Sequence, residues 1–328
     1  MIKQWKALIV AAVWFTQPTV GSTASSQTHR LIIVMEGRTS RVQPQEQGLR
    51  DGLEELGYIE GKNLVTDRIN EEGVERLRTS VASYVQKQRV DLIVTLGMVE
   101  TAAAKNATTQ LPIIFLPVGN PVQSGFVKSL AIPGTNITGL TFYTGFENIA
   151  KQFEIFTDVV PSMRHVLALS DGRDPSGSQG LKSIKGVAQH LGIELTNRTV
   201  NSVADAIPAV AALPKAARRN GIFIHCSGLF RDLKDLATVA TKERLPLFGC
   251  NAFQVAEQDV LLSYAPDLYS IGYRGAALVE KILKGAKPQT LPVETPIKFE
   301  LVINRRTATA IGLKIRPEML TLADRVFD

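Results

Sequence analysis

Residues 111–142 read LPIIFLPVGNPVQSGFVKSLAIPGTNITGLTF. The apolar run at 111–116 is the right length for a strand buried on both faces. Gly119-Asn120-Pro121 marks a tight turn, and a short amphipathic helical segment is expected from there to Leu130. Pro133-Gly134 breaks that segment, and a second extended piece runs from 136 to 142. Gly139 falls inside this second strand, where glycine signals a bend or a close backbone approach. The turn at Gly119 is expected to floor a ligand cleft, and the strand around Gly139 to cross between two lobes.

The flanking sequence repeats the same alternation. Upstream, a buried strand at 30–35 precedes a helix at 43–57 that carries Leu49, Leu53 and Leu56 on one face. Gly57 stands where that helix would be capped. A strand at 63–69, a helix at 74–88, a strand at 90–96 and an alanine-rich helix at 100–107 follow. Downstream come a helix at 146–160, a strand at 164–170, a polar loop at 171–180, a helix to 191 and a strand at 193–200. A helix at 203–219 contains Pro208 and Pro214, which must start or interrupt it. Next are a strand at 221–226, a helix at 231–244, strands at 246–250 and 259–264, and an amphipathic helix at 268–283. A proline-rich link leads to a last strand at 298–304 and a short helix. Strand and helix alternating every roughly 25 to 30 residues is the pattern of βαβ units around parallel sheets. The expected fold is α/β, with two Rossmann-like lobes spanning 29–141 plus 266–291 and 142–265 plus 292–328. A hinge is expected where strands cross near 138–142 and 265–268.

At the N-terminus, Lys3 and Lys6 precede nine apolar residues (ALIVAAVWF, 7–15), and Ser22-Thr23-Ala24 supplies small residues. Residues 1–24 are therefore expected to be a cleaved secretory signal peptide. Nine apolar residues fall short of the roughly 20 needed to span a bilayer. Cys226 and Cys250 lie far from the cut, so no lipid anchor is expected. The remaining roughly 300 residues suffice for two domains with separate cores. A hydrophobic content of 45% with 21% charged residues describes a globular chain. The net charge is +6, and the densest basic pieces, Arg218-Arg219 and Arg305-Arg306, are short. Without a basic stripe, nucleic acid is not an expected partner. The two cysteines end neighbouring strands, where a bridge and two buried thiols are both open.

Catalytic signatures are missing. The sequence has no G-x-S-x-G elbow, no P-loop, no H-E-x-x-H and no zinc-type cysteine cluster. His29, His165, His190 and His225 are scattered. His225 and Cys226 are strand neighbours that point to opposite faces and form no dyad. No enzyme activity, cofactor or metal is expected.

Ligands of open α/β sheets bind beyond the carboxyl ends of strands, where helix N-termini present free N–H groups. In the first lobe this selects Glu36, Gly37, Gly97, Met98, Val99, Glu100, Gly119, Asn120 and Pro121, with Thr141 and Phe142 at the crossing. In the second lobe it selects Asp171, Ser227, Asn251, Phe253 and Tyr264. For an amino-acid-like ligand, Ser227 and the turns at Gly97 and Asn120 would meet a carboxylate. Glu36, Glu100 or Asp171 would meet an ammonium group. Phe142, Phe253 and Tyr264 would wall an apolar or aromatic group.

Several stretches carry a family resemblance: GLRDGLEELGYIEGKNL at 48–64, the strands at 90–95 and 111–115, VGNPV at 118–122 and PGTNITGL at 133–140. Phe248-Gly249, Ser263-Tyr264, LVIN at 301–304 and the stretch from Thr307 to Leu313 continue it. Over nearly the whole chain after the leader, the sequence resembles the tryptophan/tyrosine-type family of ABC transporter substrate-binding proteins. That resemblance implies a type I periplasmic binding-protein fold, with a ligand cleft between the lobes. It also implies a monomer in the periplasm that delivers a small molecule to an ABC permease in the inner membrane. The chain departs from the family at Gly97-Met98-Val99-Glu100-Thr101 and at His225-Cys226-Ser227-Gly228, both beside the expected cleft, so the ligand stays open. Two other readings share the cleft: a sensory module serving a membrane receptor or kinase, and a secreted α/β enzyme.

Overall fold

The structure is a computed structural model describing residues 28–37, 39–142, 146–172, 176–213 and 220–328. The expected signal peptide at 1–24, together with Pro214, Arg218 and Arg219, lies outside the described residues.

The first lobe alternates β1 (His29–Glu36), α1 (Thr39–Glu55), β2 (Leu64–Glu71), α2 (Val74–Lys87), β3 (Leu92–Thr95), α3 (Met98–Ala107), β4 (Ile113–Val118) and β5 (Ile137–Thr141). Its strands form a parallel sheet in the order β2-β1-β3-β4-β5. The chain then builds α4 (Phe146–Val159), β6 (His165–Asp171), α5 (Ser176–His190), β7 (Glu194–Val200), α6 (Val203–Ala211) and β8 (Asn220–Ile224). A 3-10 turn (Gly228–Arg231), α7 (Lys234–Lys242), β9 (Leu247–Gly249), α8 (Ala252–Glu257), β10 (Leu262–Pro266) and α9 (Leu268–Leu283) follow. The chain ends with β11 (Phe299–Asn304), α10 (Arg305–Ala310), α11 (Pro317–Leu322) and β12 (Arg325–Phe327). The second sheet runs β12-β11-β10-β9-β8-β6-β7, parallel except where β11 meets β10.

Successive side chains of a strand point to opposite faces, and because β1 and β8 each hold an unbroken apolar run, both faces of each sheet must be covered. In β1, Leu31, Ile33 and Met35 pack into one core with Leu49, Leu53, Ile271 and Leu278 of α1 and α9. Ile32 and Val34 face the opposite core with Leu77 and Val81 of α2 and Ala103 and Ala104 of α3. β8 divides likewise, with Phe223 on one side and Ile222 and Ile224 on the other. Phe223 stacks on Phe248 with ring centroids 5.0 Å apart, and Phe153 meets it edge-on at 5.6 Å.

α9 packs against α1 through glycines. A Cβ at Gly272 would lie 1.9 Å from the Gln45 carbonyl oxygen, and one at Gly48 would lie 2.0 Å from that of Tyr269. The two backbones therefore touch where they cross. Tyr269 also donates its hydroxyl to Asp51 Oδ2 at 2.8 Å. Gly139 meets a similar need within β5: its φ is +157°, and a Cβ there would fall 2.2 Å from the Phe115 carbonyl oxygen. The close approach expected at Gly139 is thus present.

Some expected elements differ. The segment from Pro121 to Leu130 forms turns instead of a helix. Gly125 is left-handed at φ +68°, and so short a segment has too few hydrogen bonds to offset helix nucleation. Phe126 and Val127 instead bury themselves against the first sheet. α6 continues through Pro208 after a capping box between Ser202 and Asp205. The helix expected at 231–244 is a 3-10 turn followed by α7. The antiparallel course of β11 and the short elements α8 and β12 are not apparent in the sequence pattern.

Candidate ligand cleft

A cleft of about 640 Å³ lies beyond the carboxyl ends of the strands of both sheets. Small-molecule sites commonly occupy about 300–1,000 Å³. From the first lobe, its wall takes Leu96, Gly97 and Met98 after β3, Pro117, Gly119 and Asn120 around the end of β4, and Phe142 after β5. From the second it takes Asp171 at the end of β6, the loop from His225 to Arg231 after β8, and Cys250 and Asn251 after β9.

Of the residues selected from the sequence, Gly97, Met98, Gly119, Asn120, Phe142, Asp171, Ser227 and Asn251 line this cleft. The other eight stand off the wall. Glu100 is fully buried and accepts the Glu36 N–H through Oε1 at 3.2 Å. Thr141 is buried and donates its hydroxyl to the carbonyls of Val118 (2.8 Å) and Gly119 (3.1 Å), bracing the turn. Tyr264 stacks on Phe299 at 5.4 Å, and Phe253 is buried in α8. Glu36 turns its carboxylate to Arg231, and Gly37, Val99 and Pro121 flank the loops without facing the cavity.

The wall also contains groups that strand-end reasoning does not select. Val42 and Gln45 come from α1, and Asn148, Ile149 and Gln152 from α4. Asn148 and Gln152 are four apart, a spacing that reads in sequence as the solvated face of an amphipathic helix. Gln45 is 5% exposed, and its side-chain carbonyl has no hydrogen-bond partner among the described residues.

The second-lobe loops are tightly held. Cys226 and Cys250 form a disulfide, with Cα atoms 5.5 Å apart, that joins the ends of β8 and β9 at the wall. Buried Gln254 clamps the same loops, accepting the Cys250 N–H at 2.7 Å and donating to the Phe230 carbonyl at 2.6 Å. Ser227 accepts the Leu229 N–H at 3.2 Å and donates to Asp171 Oδ2 at 3.1 Å. His225 fits against α5 because residue 180 is glycine: a Cβ there would lie 2.4 Å from the imidazole Nε2. Asn251 caps α8 by accepting the Gln254 N–H at 3.1 Å. Asn251→Ala should therefore cost about 1 kcal/mol of stability, read as a lower denaturant midpoint at unchanged slope.

Among the described residues, the cleft offers the Asp171 carboxylate, the Arg231 guanidinium, several carboxamides and hydroxyls, and apolar walls from Met98, Phe142 and Leu229. Among the described residues, no group of three or more His, Cys, Asp or Glu side chains could hold a metal ion. No helix among them is long and apolar enough to cross a membrane.

Two α/β lobes facing each other across a mainly apolar cleft with a few polar groups define a two-lobed small-molecule binding protein. The chain belongs to the ABC transporter substrate-binding protein family, whose model matches residues 32–327. A tyrosine-binding protein of Clostridioides difficile is 24% identical over 270 residues, covering 82% of this chain and 76% of the relative. The fold is similar to that of a conserved domain protein from Vibrio cholerae (TM-score 0.76, 25% identity, 92% of this chain and 100% of that one). It is equally similar to an ABC domain from Streptococcus pneumoniae in complex with L-Trp (TM-score 0.76, 21% identity, 92% and 100%).

Proposed function

We propose that this chain is an exported, periplasmic binding protein that captures an amino acid or related small molecule and delivers it to an ABC permease in the inner membrane. The observation that carries this reading is the cleft built by both lobes, with the Asp171 carboxylate in its wall. Residues 29–141 plus 266–291 and 142–265 plus 292–328 move as two bodies about the crossings near 138–142 and 265–268, and the protein acts as a monomer. A ligand touching both bodies favours the closed state through its extra contacts there, and the permease reads that state. Asp171, steadied by the Ser227 hydroxyl that donates to it, meets the ligand's ammonium group, and backbone N–H groups beside Gly97 and Asn120 meet its carboxylate. Phe142 and Leu229 wall the side chain.

The test is thermal unfolding with L-tyrosine and L-tryptophan. At 100 times its dissociation constant, a ligand specific for the folded form adds about 2.7 kcal/mol, or about 4 °C for a chain of this size. Asp171→Asn should weaken that ligand about tenfold or more, as expected for losing a hydrogen bond to a charged group. An unchanged melting temperature with both amino acids would sink the amino-acid reading. A ligand consumed during incubation would sink the binding-protein reading in favour of an enzyme.

A further inference from the structure

The carboxylate of Glu36 pairs with the guanidinium of Arg231 across 195 residues of sequence. Glu36 ends β1 in the first sheet, and Arg231 ends the 3-10 turn that follows β8 in the second. The pair therefore bridges the two lobes beside the cleft, whose wall includes Arg231.

Both partners sit on supports that fix their position. The Glu36 N–H is held by the fully buried Glu100 of α3. The turn carrying Arg231 is capped by Ser227, anchored by buried Phe230, and tied to α8 by Gln254. Little additional order is lost when the two charges meet, which favours an ion pair over one between free surface side chains. The side chains are 15% exposed for Glu36 and 32% for Arg231, sheltered enough to interact but open to salt.

We propose that Glu36 and Arg231 are positioning residues that latch the lobes together, so that part of the ligand-free protein is already closed. The pair forms only when the lobes approach, so its interaction free energy belongs to the closed state alone and shifts the open–closed balance. A protein with a partly populated closed state binds more tightly than one that must close anew. The proposal rests on the reading of two lobes that close. It makes no use of the ligand's identity, so failure of the amino-acid test leaves it standing.

The experiment measures interlobe distances in ligand-free protein by pulsed electron resonance. One non-cysteine spin label is placed on an exposed site of each lobe, which leaves the disulfide intact. The wild type should show a short-distance population at low salt. Glu36→Gln and Arg231→Gln should each lower the closed-to-open ratio roughly two- to fivefold. High salt should move the wild type the same way and leave the variants unchanged, because the Debye length falls from about 10 Å at 0.1 M to about 3 Å at 1 M. The reversed pair, Glu36→Arg with Arg231→Glu, should recover the short-distance population, which a merely structural role would not predict. Identical distributions in the wild type and both single variants would overturn the proposal. So would a wild type without a short-distance population, or a reversed pair that stays open.

Discussion

Gly272→Ala should destabilise the protein by about 3 kcal/mol, near the upper end for overpacked interiors. The new methyl would stand 1.9 Å from the Gln45 carbonyl oxygen, and backbone atoms cannot rotate aside as side chains do. α1 and α9 must separate, and with them the contacts of Leu49, Leu53, Ile271 and Leu278 in one core. Gly186→Ala supplies the control. Gly186 is also helical, is exposed on α5, and has nothing within 4 Å of a built Cβ. There the substitution should stabilise by up to about 1 kcal/mol, through helix propensity and a less flexible unfolded chain. Chemical denaturation of both variants checks the pair. Equal effects at the two sites would mean that the helices do not meet through their backbones.

Removing the disulfide should have the second large effect. Cys226 and Cys250 are 24 residues apart, and closing a loop of that size in the unfolded chain corresponds to about 3.5 kcal/mol. Cys226→Ser with Cys250→Ser should lower stability by about this amount relative to the oxidised protein. Adding reductant to the wild type should bring the two together. A wild type insensitive to reductant, with equal stability in the double variant, would show that the bridge is absent in solution. Gln254 would still hold Cys250 and Phe230 in the double variant, so the cleft loops should loosen without collapsing.

Particular residues show what sequence alone can convey here. β1 is legible as a short, continuous apolar run, the mark of a strand buried on both faces, and the helix at 268–283 because buried side chains recur every three to four residues. Gly139 is legible because glycine weakens a strand interior, so its presence there marks a bend or a close approach of backbones. The cleft loops after β3, β4, β6, β8 and β9 follow from the geometry of open sheets. That rule locates strand ends but not the direction a side chain takes. Glu36, Glu100 and Tyr264 qualify by position, and the structure turns each toward another protein group. Arg231 gains its place through a contact distant in sequence, as Gln254 does in part, and such contacts leave no local trace. α8 and β12 are too short, at six and three residues, to show a period.

The order of elements along the chain has a consequence for biogenesis. The helix that completes the first lobe is Leu268–Leu283, whereas the helix it packs against is Thr39–Glu55. The second sheet has its edge at Arg325–Phe327, at the chain's end. The first lobe cannot acquire its final packing until the segment Leu268–Leu283 has left the ribosome. Such long separations also make folding slow. Until that late helix has emerged, Leu49 and Leu53 lack the partner that covers them, so the early segment stays open however well its own helix forms.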